Sequence, residues 1–117
     1  MKKLAIASLG LMLSVGLIGT ALADEKAVTG TLEDSFCFVT TGAHGPDHKK
    51  CAMGCAKKGI PVALVENGTD KMFILLPSKN DTSLPNDVID KMESEVTVTG
   101  DEYDKSGISY LTVKSVK

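Results

Sequence analysis

Apolar and polar residues alternate from Ala27 to Ser35, with Val28, Gly30 and Leu32 on one side and Thr29, Thr31 and Glu33 on the other. A period of two predicts a half-buried strand. Phe36 and Phe38 extend its apolar character past Cys37. Residues 40–46 are rich in Thr and Gly and end in Gly45-Pro46, which predicts a loop. Asp47 to Lys58 then reads as a helix. Asp47 is a candidate N-cap, Lys57 and Lys58 suit the negative C-terminal end, and Gly59 followed by Pro61 stops it.

Val62 to Val65 predicts a short strand, and Asn67-Gly68 is a strong hairpin turn signal. Met72 to Leu76 is a continuous apolar run, expected to be the most buried strand. Pro77 to Pro85 is a polar loop. Asn86 to Glu93 predicts a short helix with Val88, Ile89 and Met92 inward. Glu95 to Tyr103 alternates again, Asp104-Lys105-Ser106-Gly107 turns the chain, and Ile108 to Val116 closes it with Leu111 and Val113 inside.

The predicted order is strand, helix, strand, strand, short helix, strand, strand. Five strands with a helix between the third and fourth is the order of an OB-like barrel. The first helix then becomes an insertion between strands 1 and 2, in a loop with which OB barrels commonly bind ligands. An unrelated α+β sandwich with the same element order is the alternative.

The first 23 residues change the picture of where this domain works. Lys2 and Lys3 form a positive start, Leu4 to Ile18 is uncharged and mostly apolar, and Ala21-Leu22-Ala23 is an A-x-A cleavage motif. That is the pattern of a secretory signal peptide, so residues 24–117 are expected as one periplasmic or secreted domain, free of the membrane once the leader is removed. The apolar run is short for a span, and Gly10, Ser14, Gly16, Gly19 and Thr20 dilute it.

Composition bounds the rest. A 117-residue chain with five aromatics and no tryptophan is one small domain, with a thin core that an added staple would help. The formal net charge is −2 and there is no arginine. Gripping nucleic acid through its phosphates needs the opposite balance, so no nucleic-acid partner is expected.

The candidate chemistry lies in one window. All three Cys and both His fall between 37 and 55, as Cys37-x6-His44-x3-His48-x2-Cys51-x3-Cys55. On a helix, His48, Cys51 and Cys55 stand at i, i+3 and i+7 and share one face. Three Cys and one His make a tetrahedral zinc set, and three thiolates also suit Cu(I), with Met53 a weak extra donor. The predicted ligands are therefore Cys37, Cys51 and Cys55, with His48 or His44 as the fourth. The lysines at 49, 50, 57 and 58 read as a solvated helix face able to balance the charge.

Other readings compete. An oxidising compartment favours a disulfide, and three Cys leave one odd thiol. Joining Cys37 to Cys51 or Cys55 closes a loop of about 15–18 residues, worth about 3 kcal/mol in the chain-entropy model. That would make a disulfide-stapled module for another envelope protein. Covalent haem lacks its C-x-x-C-H motif, which leaves non-covalent haem on His44 or His48. Thioredoxin-type exchange lacks its C-x-x-C spacing. A free Cys beside a His can act as a nucleophile, but no catalytic motif accompanies it and no enzyme is expected. Two Asn-x-Thr sequons, at Asn67 and Asn80, read as turn chemistry.

The stretch Val28-Thr29-Gly30-Thr31-Leu32-Glu33-Asp34-Ser35-Phe36-Cys37, with His44, His48, Cys51, Cys55 and Gly59-Ile60-Pro61, resembles a group of small secreted bacterial proteins. The ending Val96-Thr97-Val98-Thr99-Gly100, a hairpin and Leu111-Thr112-Val113 is similar to secreted bacterial OB-fold domains. The resemblance covers most of residues 24–117 and implies a fold and a compartment, but no activity.

Overall fold

In the computed structural model, which describes residues 24–117, β1 (Glu25–Asp34) runs between two antiparallel partners. Its first part pairs with β4 (Glu95–Lys105), Val28 opposite Val98, and its end pairs with β2 (Val62–Glu66), Leu32 opposite Leu64. β2 continues antiparallel to β3 (Met72–Pro77), β3 runs parallel to β5 (Ile108–Val113), and β5 returns antiparallel to β4. The order β1-β2-β3-β5-β4 therefore closes on β1 as the predicted five-stranded OB-like barrel. A two-residue β6 (Ser115–Val116) pairs antiparallel with β4, Val116 opposite Val98. The predicted leader, residues 1–23, lies outside the described residues.

Closure needs close approach of backbones. A Cβ on Gly30 would collide with the Val65 carbonyl, and one on Gly100 with the Thr112 carbonyl. These two strand glycines sit where only a hydrogen fits. Inside lie Val28, Leu32, Leu64, Phe73, Val98, Leu111 and Val113, all at most 3% exposed. Burying side chains of this size contributes about 1.5–3 kcal/mol each before conformational entropy is subtracted.

The most buried strand is β2, not β3. Val62, Ala63 and Leu64 are all buried, whereas β3 alternates, with Leu76 exposed and Phe73 and Leu75 buried. The reason is a covered outer face. Ala63 stands opposite Glu33, both are buried, and α2 (Lys49–Lys57) packs on β1.

The insertion between β1 and β2 departs from expectation at its start. Apolar Phe36 and Phe38 do not extend the strand. Asp34 turns the chain into α1 (Ser35–Thr41) and caps it. Gly42, at φ 72°, ends that helix. A 3-10 turn (Pro46–His48) leads into α2, so His48 rather than Asp47 takes the cap position, with no side-chain cap. The far end of α2 follows the sequence closely. Gly59 at φ 95° lets the Ile60 N–H reach Cys55 O (3.1 Å) and the Gly59 N–H reach Ala56 O (3.1 Å), a Schellman closure. The short helix after β3, α3 (Asn86–Asp90), buries Val88 and then Met92 under the barrel and touches α2. Among the described residues, no helix is long and apolar enough to cross a membrane.

Candidate metal centre

Asp34 organises the site although its letter signals only a helix cap. It is the last residue of β1, paired with Val62 and 2% exposed. Its Oδ1 accepts the Phe36 N–H (3.0 Å) and the Cys37 N–H (3.4 Å), which fixes the first turn of α1 and the direction of the Cys37 side chain. The Ser35 N–H donates to Pro61 O (3.2 Å), tying that turn to the chain that leaves α2. Cys37 and Cys55 are thereby brought together across a crossing that starts on one strand and ends on the next.

On α2, Ala52 is fully buried while Met53 and Ala56 pack on the core. This inward stripe sets the rotation of the helix. Cys51 is left exposed and Cys55 half-buried, one turn apart. The ligand atoms of Cys37, Cys51 and Cys55 all lie within 4.8 Å of one another. Those of Asp34, Cys37 and His48 do the same, so Cys37 belongs to both groups. All three cysteines are free thiols.

A tetrahedral zinc-thiolate site, with bonds of about 2.3 Å, has sulfurs about 3.8 Å apart. The thiols are thus at most about an ångström wider than a closed shell, within reach of side-chain rotation. Cys, His and Asp residues placed in this way can hold a metal ion.

Four buried polar atoms at and beside this junction have no hydrogen-bond partner: His48 Nε2, Asp34 Oδ2, Glu33 Oε2 and Glu93 Oε1. Native structures leave such atoms orphaned rarely, because each costs about 1–3 kcal/mol. Burial pushes the Asp34 carboxyl up, yet the Cys55 and Cys37 thiols and the backbone N–H groups of Cys37 and Phe36 together hold it below its ordinary range. The thiols lie beside the carboxylate without completing an aligned bond to Oδ2. In return, Asp34 first and burial second push the Cys55 thiol up to about 12, and the same causes raise Cys37. The Cys37 and Cys55 thiols are therefore protonated at neutral pH.

Of the five predicted ligands, the structure gathers Cys37, Cys51 and Cys55 and sets His48 beside Cys37 in the second group. His44 stands apart, exposed, its Nδ1 2.9 Å from Gly42 O, and it belongs to neither donor group. Asp34 was not predicted. Its one sequence signal is an Asp two residues before an apolar Phe-Cys-Phe, a cap pattern for an unrecognised helix.

Two further acids are buried next to the site. Glu33 (3% exposed) lies on the β1 face opposite Val28 and Leu32, the face on which α2 packs. Glu93 (8% exposed) sits at φ 61°, where its N–H donates to Leu32 O (2.8 Å). Its Oε2 accepts the Gly45 N–H (2.8 Å), holding the loop that precedes His48. Burial, then the hydrogen bond and charge of Glu93, push the Glu33 carboxyl up to about 8.

Compared with known protein families, characterised proteins and solved structures, the chain matches none.

Proposed function

We propose that this protein is a periplasmic or secreted binder of a thiophilic metal ion, zinc or copper, that holds or hands on the ion rather than turning over a substrate. Cys37, Cys51 and Cys55 are the thiolate ligands and His48 the fourth. The observation that carries this reading is a pair of donor groups that share Cys37, one of three thiols and one with Asp34 and His48, whose Oδ2 and Nε2 are buried without partners. A cation beside Cys37 can draw donors from either group. The exposure of Cys51 favours exchange, since an incoming ligand can reach that sulfur more freely than the half-buried Cys37 and Cys55. Loading must release thiol protons, so apparent affinity rises with pH.

Metal analysis combined with thiol titration tests this reading. The expected result is near-stoichiometric Zn or Cu and thiols that react only after chelation. Absence of metal together with a single reactive thiol overturns it in favour of the disulfide-stapled module, which the close sulfurs also permit. A Soret band on haem titration would redirect the site to haem.

A further inference from the structure

We propose that Asp34 is the specificity-determining residue of this site and makes it a seat for a borderline divalent ion of the zinc type rather than for Cu(I). This rests on the metal-binding reading above. The donors form two faces that share Cys37. One is all sulfur, with Cys51 and Cys55; the other pairs Cys37 with the Asp34 carboxylate and the His48 imidazole. Zinc accepts sulfur, nitrogen and oxygen together, whereas Cu(I) selects soft thiolate and thioether donors. An ion that uses both faces must accept oxygen beside sulfur.

Charge points the same way. Three thiolates around a monovalent ion already leave a double negative charge, and a buried carboxylate adds a third. A divalent ion removes one of these charges. Among the described residues no lysine forms an ion pair with Asp34: the pairs present join Lys26, Lys71 and Lys114 to Glu25, Asp101 and Glu102. Asp34 Oδ1 is committed to the helix cap, so Oδ2 is the free oxygen, held in place by the cap itself.

The test compares Zn(II) and Cu(I) affinities, each by competition with a chromophoric chelator, in the wild type, Asp34→Asn and Asp34→Ser. Both replacements keep an N-cap acceptor, so α1 is retained, and circular dichroism with thermal melting checks the fold of each. Zinc affinity should fall about 10–100-fold in both variants while Cu(I) affinity holds or rises. Parallel losses for both ions, or no change for either, overturn the role of Asp34 and leave the metal site standing. A wild-type protein that takes up neither ion overturns the site and this inference together.

Discussion

The barrel and the insertion between β1 and β2 are held by different physics. The barrel buries Leu32, Leu64, Phe73, Val98 and Leu111 almost completely, and its strands pair in a closed ring. In residues 35–61 only Ala52 is buried. What organises that stretch is polar: the Asp34 cap, the Glu93 clamp on Gly45, and the three thiols meeting over β1. A region with so little apolar burial relies on hydrogen bonds worth about 1 kcal/mol each, and a bound ion contributes far more. The barrel is the scaffold, and the insertion is the part that an ion would stabilise most under the proposed metal-binding reading.

The strongest way to break this contrast is to damage the scaffold. Phe73→Ala should cost about 3–5 kcal/mol, read as a fall in the urea midpoint, and the loss should persist whether or not metal is present. Damage to the site should instead be conditional. Cys37→Ser removes the sulfur common to both donor groups, so it should abolish metal uptake yet leave the metal-free melting temperature within a few degrees of wild type. Hydrogen exchange sharpens the point. Chelation should unprotect amides in 35–60 while those of β1, β4 and β5 stay slow.

The buried acid beside the site predicts a pH signature. The Glu33 carboxyl is raised from 4.5 to about 8, so the folded state holds a proton that the unfolded chain releases. Its stabilisation is complete below pH 4.5 and is lost as pH rises through about 8. The urea-derived stability should drop on the order of 2–4 kcal/mol between pH 5 and pH 9, and Glu33→Gln should flatten the profile. Asp34 and Glu102, both held below their ordinary values, act in the opposite direction and only in more acidic solution.

The smallest effect separates the two histidines. His48→Ala should weaken metal binding about 10–100-fold. His44→Ala should leave both uptake and stability within about 0.5 kcal/mol of wild type.

Much of this was legible because it is local. The spacing of His48, Cys51 and Cys55 placed them on one helix face, and Gly59 with Pro61 marked where that helix ends. The alternation around Val28 and Val96 located the strands that pair. The misreadings share a cause. Phe36 and Phe38 looked like strand because apolar periodicity says nothing about a cap that starts a helix on their doorstep. Met72–Leu76 looked fully buried because an apolar run does not record which strand gains cover on its outer face.

The sequence by itself determined the order of elements, the turns and the one window where Cys and His concentrate, because each follows from periods and spacings of a few residues. That Asp34 joins the thiols, that Glu33 and Glu93 are shut in beside them, and that His44 is left out emerges only from the folded arrangement. Those outcomes depend on Asp34 facing Val62 across a ladder and on Glu93 meeting the Leu32 carbonyl from the far end of the chain. Burial and convergence are set by pairings between residues distant in sequence, and no local pattern encodes them.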